Sequence, residues 1–309
     1  MMAHADHETF PAPAPPRKRR LRFGWLDGVL ALLFAGGVGY FIWRTSVVLD
    51  YRWRWDSLWP FIIKRDPVTG ALAPNLLLEG LATTIRLAIY ATLIATVIGT
   101  AMGLARTSKR LFFRLLSGSY VLLIRNIPPV VFVFVFVFFI ASQIMPALGI
   151  QERVARAGPA TQWWLSLLFG QPKLIENFVV GLVCLSVFSG AYVTEIVRAG
   201  LQSVPRAQAE AGDSLGLSRA DVMRFVILPQ ALRNVLPPLA NQFIQLIKDS
   251  SLVSLVSIQE LSFMAQDVQV ATQRVFEVFL FVALLYFVLC FGLARVFAYL
   301  EVRALRSRR

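Results

Sequence analysis

The sequence is poor in the residues that most enzymes work with. It holds two histidines, His4 and His7, both within the first ten residues. Neither Ser-His-Asp nor Cys-His chemistry inside a fold is open to it, nor is a His-ligated metal site. Two cysteines, Cys184 and Cys290, cannot build a disulfide framework or a four-ligand zinc site, and their apolar surroundings read as packing. No G-x-x-x-x-G-K-[ST] phosphate loop occurs, so the chain has no means of hydrolysing ATP. Charge is also scarce. Asp, Glu, Lys and Arg make up 16% of the 309 residues, against about 25% in a soluble domain.

What is present is apolar. Hydrophobic residues reach 57% and mean hydropathy is +0.63, which argues for an all-α polytopic membrane protein. Six stretches can each supply the roughly 20 residues that a crossing needs. They run from about Trp25 to Trp43, Gly80 to Leu104, Tyr120 to Met145, Ile175 to Val197, Phe225 to Ile247 and Val275 to Leu300. The run Val131–Val137 alternates valine and phenylalanine like a strand. Both alternating positions are apolar, so a helix is expected. The first stretch begins after a long basic tail and reads as an uncleaved span rather than a signal peptide.

The net charge is +13, and its placement suggests topology rather than nucleic acid. Basic clusters precede the first span (Arg17 to Arg22), follow the second (Arg106, Lys109, Arg110, Arg114), follow the fourth (Arg198, Arg206, Arg219, Arg224) and follow the sixth (Arg303, Arg306, Arg308, Arg309). All fall on one side if both termini are cytoplasmic. The loop from Arg44 to Asn75 carries Trp53, Trp55 and Trp59. Two readings of it stay open, a segment along the outer interface and a simple connector. The expected organisation is a disordered tail over residues 1–24, an extra span and external loop over 25–79, a transmembrane domain over 80–302 and a basic tail over 303–309.

The segment 203–229 between the fourth and fifth spans is the most informative. Pro205 suits a helix start. Arg206 to Leu215 reads as a short helix with small residues at Ala207, Ala209, Ala211 and Gly212, ended by Gly216. Ser218 with Asp221 three residues later reads as the cap of a second helix. The small side chains leave room for another protein's surface, and Glu210 offers a charge to it.

The pattern Glu210-Ala211-Gly212, then Gly216, then Ile227-Leu228-Pro229 resembles the EAA loop of ABC importer permeases. Flanking motifs narrow the resemblance. They are Gly80-Leu-Ala-Thr-Thr84, Arg125-Asn-Ile-Pro-Pro129, Tyr192-Val-Thr-Glu195, Leu228-Pro-Gln-Ala-Leu-Arg233 and Lys248-Asp-Ser-Ser-Leu252. Together they resemble the polar amino acid permeases of the histidine, glutamine and glutamate type, over roughly Gly80 to Leu300. Ala207 stands where that family usually has glycine, and Gly212 stands for its second alanine.

The resemblance implies a type I ABC importer permease in the bacterial inner membrane, without enzymatic activity of its own. It implies a cytoplasmic ATPase dimer that carries the ATP and magnesium, a second permease subunit identical or homologous to this one, and a periplasmic amino-acid-binding protein. Gln208, Glu210, Ala211, Gly212, Gly216, Leu228 and Pro229 would couple the chain to the ATPase. Arg86, Glu195, Lys248 and Asp249 are candidates for the substrate path or gate. For Arg86 the alternatives are a helix partner or a snorkelling side chain; for Glu195, stabilising the end of its helix with Arg198. Competing classes are a permease for another amino-acid-like solute, an ion channel or secondary transporter, and a membrane-embedded enzyme. The last two leave the cytoplasmic helix-turn-helix unexplained.

Overall fold

The structure is a computed structural model that describes residues 24–48, 51–65 and 70–306. The expected disorder of the N-terminal tail falls outside the described residues, apart from Gly24. The chain divides into two units, one ending at Trp53 and the other starting at Arg54. The first unit contains α1 (Trp25–Trp43), whose start is capped by the Gly24 N–H donating to Asp27 Oδ2 at 2.8 Å.

The second unit is a helical bundle. Its long elements are α2 (Leu76–Thr107), α3 (Leu111–Asn126), α4 (Pro129–Leu148), α5 (Pro159–Phe169), α6 (Ile175–Gln202), α7 (Arg206–Ser214), α8 (Leu228–Asp249), α9 (Leu261–Thr272) and α10 (Val275–Arg306). The contact between α2 and α6 is the most extensive in the fold. It is made by small residues. Ala91, Ala95, Gly99 and Gly103 recur every fourth residue along α2 and are buried. A Cβ on Gly99 would lie 2.5 Å from the Val193 side chain, and one on Gly103 2.7 Å from Val197. Such small-x-x-x-small stripes bring helix backbones together where lipid supplies no hydrophobic drive. Gly99 beside Val193 and Gly103 beside Val197 also show that α2 and α6 run parallel.

Helix α8 returns antiparallel to α6. Gly200 faces Val235 near one end, and Gln242 donates to Ser189 Oγ at 3.2 Å farther along. Helix α10 starts where α2 starts, with Val278 and Val282 packed on Leu77 and Leu261. The fold therefore has one end where α2, α6 and α10 finish and the loop of residues 203–227 departs, and an opposite end where they begin.

Two expectations change here. Among the described residues five helices are long and apolar enough to cross a membrane by length and composition alone: α1, α2, α4, α6 with the turn before it, and α10. The expected fifth span falls on α8. Its 22 residues reach about 33 Å and run from the end where α6 finishes to the end where α10 begins, although Arg233, Asn234, Gln242, Gln245, Lys248 and Asp249 make it more polar than the other five. Its polar side chains find partners, Gln242 on Ser189 and Asn234 on Ser203.

The expected third span from Tyr120 is interrupted. Ile127 (ψ 136°) and Pro128 (ψ 134°) are extended, because a residue before proline is pushed out of the helical region. The apolar helix restarts at Pro129. The Val-Phe run is helical as expected, with one widened turn over Phe136–Ala141.

The loop before α2 is more than a connector. From Arg54 onward it packs Leu58 and Ile62 against Leu77, Val268 and Val278. It then forms an antiparallel pair, β1 (Ile63–Arg65) with β2 (Leu72–Pro74), with Ile63 opposite Pro74.

Candidate functional site

At the end where the loop of residues 203–227 departs, α6 stops at Gln202, and the chain turns through Pro205 into α7. The helix closes with paired backbone bonds. Gly216 N–H donates to Asp213 O at 3.0 Å and Leu217 N–H to Gly212 O at 3.2 Å, while Gly216 sits at φ 77°. This is a Schellman closure, which needs a left-handed residue at that place. Ser218 then caps the next turn: its Oγ accepts the Asp221 N–H at 3.2 Å and donates to Asp221 Oδ2 at 2.6 Å. The helix-turn-helix of the sequence reading is present, with one difference. Its second arm, Arg219–Asp221, is not a separate helix but runs through a widened turn, Val222–Ile227, into α8.

The two arms close tightly on Gly212. A Cβ there would lie 2.9 Å from Val222 Cγ2, and Val222 is buried. That contact gives a physical reason for glycine in this position. Gln208 accepts from Gln230 of α8 at 3.4 Å. Glu210, Ala211, Leu228 and Pro229 are exposed. The Glu210 carboxylate has no hydrogen-bond or ion-pair partner among the described residues. Leu215 is 81% exposed and Phe225 64% exposed, so apolar side chains and the Glu210 carboxylate face outward at this end of the bundle, among the exposed Arg206, Arg219 and Arg224.

Beneath the loop, Glu195 of α6 joins two arginines. Its Oε2 accepts from Arg198 Nη2 at 2.7 Å, and its Oε1 lies 3.2 Å from Arg106 Nε at the end of α2. Ser203, just past α6, accepts from Asn234 of α8 at 2.8 Å. These contacts tie the ends of α2, α6 and α8 together where the loop departs. In the sequence Arg106 stands only as one of a basic cluster, and its pairing with Glu195 is not marked there.

At the opposite end a cavity of about 370 Å³ opens between α2, the end of α5, the start of α6 and the segment before α9. Arg86 lines it, together with Glu79, Thr83, Gln171, Asn177 and Gln259. Arg86 has no hydrogen-bond or ion-pair partner among the described residues. Gly170 passes over it at φ 92°, where a Cβ would lie 3.5 Å from Arg86 Nη1. Lys248 and Asp249 stand apart from this cavity. No ion pair forms between them, and Asp249 Oδ1 instead accepts from Gln245 at 2.8 Å.

A buried acid missed by the sequence reading holds this end together. Glu260, between α8 and α9 and outside the apolar spans, is fully buried. Its Oε1 accepts the N–H groups of Ser262 and Phe263 at 2.7 and 3.0 Å. Its Oε2 accepts from Thr84 of α2 at 3.1 Å and Tyr286 of α10 at 2.7 Å. Burial pushes its carboxyl above the usual 4.5, against the pull of those four donors. The folded state then holds the proton more tightly than the unfolded one. This contribution to stability is greatest below the ordinary carboxylate range and falls as pH rises through the raised folded value. Glu260→Gln is expected to flatten the fall, measured as thermal unfolding in detergent over a pH series. Glu260→Ala should lower stability at every pH, since each orphaned buried donor costs about 1–3 kcal/mol. A pH dependence unchanged by Glu260→Gln would contradict this.

Comparisons with known proteins agree with this arrangement. The family model described as "Binding-protein-dependent transport system inner membrane component" matches residues 95–306. The chain is 36% identical over 192 residues to a probable glutamine ABC transporter permease protein GlnM of Bacillus subtilis, covering 62% of this chain and 76% of that one. It is 40% identical over 129 residues to the glutamine transport system permease protein GlnP of Escherichia coli K12, covering 42% of this chain and 59% of the relative.

Among solved structures, the crystal structure of an amino acid ABC transporter with histidines superposes with a TM-score of 0.60 at 32% identity, covering 74% of this chain and 94% of that one. The MetNI methionine ABC transporter in an inward-facing form superposes with a TM-score of 0.51 at 17% identity over 72% of this chain and 95% of that one, which speaks for the fold alone. This chain, an all-α, multi-pass membrane bundle whose α6–α8 connection is an exposed helix-turn and which a family model matches over residues 95–306, belongs to the membrane components of binding-protein-dependent transport systems.

Proposed function

We propose that this chain forms one half of the translocation path of an ATP-driven importer for polar amino acids. The carrying observation is the loop after α6: an exposed helix ended by the left-handed Gly216, presenting an unengaged Glu210 and an exposed Leu215. That surface suits the groove of a cytoplasmic ATPase subunit. The ATPase dimer supplies ATP and magnesium, a second permease subunit completes the path, and an external binding protein delivers the solute. The relatives named for glutamine support an amino acid as cargo.

The cavity lined by Arg86 suits the solute's carboxylate, since its volume lies in the range of small-molecule sites. Arg86→Ala is expected to lower uptake at least tenfold with ATPase recovery unchanged. Unchanged uptake would remove Arg86 from the path.

On this reading both termini lie in the cytoplasm and the chain lies in the bacterial inner membrane. The support is the basic residues at the coupling-loop end: Arg106, Arg110, Arg206 and Arg219. Reporter fusions after Arg110 and Arg309 are expected to read cytoplasmic, and one after Thr69 external. An external C-terminus would overturn the topology and the coupling assignment with it.

A further inference from the structure

The proposed substrate cavity holds two charged residues among its described lining, and they are in different states. Glu79 is engaged on both oxygens. Lys64 of β1 reaches its Oε1 at 3.3 Å, and Gln171, between α5 and α6, donates to its Oε2 at 3.1 Å. Arg86, seven residues further along the same helix, is half-buried and engages no other side chain among the described residues. Glu79 and Arg86 are separated by about two helical turns, so the cavity has an acidic rim already neutralised by a lysine and an open cation deeper in. The remaining polar lining is neutral: Thr83, Gln171, Asn177 and Gln259.

From this difference in state we propose that the cavity selects by charge. It accepts amino acids with an acidic or uncharged polar side chain and rejects those with a cationic one. Arg86 pairs with a carboxylate, as guanidinium groups do, through two parallel N–H donors. A zwitterion with a neutral amide side chain leaves no charge unmatched beyond its ammonium. A second carboxylate is drawn by the same cation. A lysine-like side chain brings a second cation into a half-buried space whose one acid is already held, where like charges are disfavoured more than in water. Gly170 contributes by letting the chain turn above Arg86 without a side chain over the guanidinium.

This inference rests on the reading of the cavity as part of the solute path, and the test separates the two. The chain is purified with its ATPase in lipid nanodiscs, without the binding protein. Equilibrium binding of radiolabelled L-glutamine, L-glutamate and L-lysine is measured. L-Glutamine and L-glutamate are expected to bind at least tenfold more tightly than L-lysine. Arg86→Lys should keep that order, and Arg86→Glu should reverse it. ATPase co-purification checks that each variant is folded. Lysine binding as tight as glutamine binding in the unaltered complex would overturn the charge selection while leaving the cavity reading in place. If none of the three binds, or if Arg86→Glu changes none of them, the cavity is not part of the solute path and both proposals fall.

Discussion

Gly216→Val is expected to abolish uptake and to reduce recovery of the ATPase with the membrane subunit at least tenfold, while the spans stay inserted. Gly216 sits at φ 77°, and nothing lies within 4 Å of where its Cβ would be. The effect is therefore one of backbone rather than crowding. A non-glycine residue in the left-handed region costs about 1–2 kcal/mol, and a β-branched one is the least suited to it. Losing that turn breaks the bonds from Gly216 to Asp213 and from Leu217 to Gly212 and misdirects the arm that leads into α8. About 1.4 kcal/mol is already tenfold in an equilibrium. Gly216→Asn is the informative control, because asparagine tolerates this conformation, and it should retain most uptake. Glu210→Lys leaves the backbone alone and reverses the exposed charge, so it should lose ATPase recovery without loss of helix. Normal ATPase recovery in both Gly216→Val and Glu210→Lys would contradict the coupling assignment.

The second large effect is expected inside the bundle. Gly99→Leu should remove most of the folded chain from the membrane. A Cβ alone at Gly99 would stand 2.5 Å from Val193 Cβ and 3.0 Å from the Thr194 backbone nitrogen. The nitrogen cannot yield as a flexible side chain would, so α2 and α6 must separate. Overpacking of this kind costs about 1–3 kcal/mol or more, and here it falls on the most extensive contact of the fold. Gly99→Ala should show a smaller loss, and Gly292→Leu, where nothing lies within 4 Å of the Cβ position, should show almost none. The check is membrane abundance together with thermal unfolding in detergent. A Gly99→Leu chain of normal abundance and melting temperature would refute the packing.

What could be read from the sequence was what depends on neighbours along the chain. The α7 helix, the left-handed turn at Gly216 and the cap from Ser218 to Asp221 all follow from local rules, and the structure has each of them. So do the apolar helices, including the Val-Phe run. Contacts between distant positions were not legible. Glu260 is buried against Thr84 and Tyr286, 176 and 26 residues away, and no local pattern marks it.

The same holds for Arg106 beside Glu195, and for Gly212, whose reason is Val222 ten residues on. Helix α8 has the length of a span but is the most polar of the six. Its polar side chains settle against α6 through Ser189 and Ser203, a solution visible only in three dimensions. The break at Ile127–Pro128 was legible in principle, since two prolines follow Ile127, but the surrounding hydropathy concealed it. Of the candidate path residues, Arg86 lines a cavity, whereas Lys248 and Asp249 form no pair.

ATP-driven uptake in proteoliposomes tests the central claim most directly. The vesicles contain this chain with its ATPase and second permease subunit, the binding protein is added outside, and labelled L-glutamine is followed with and without enclosed ATP. The account predicts accumulation that requires both ATP and the binding protein and that Glu210→Lys abolishes, with glutamine binding by the external protein unchanged. Accumulation that is independent of ATP, or that proceeds at the normal rate in Glu210→Lys, would contradict it.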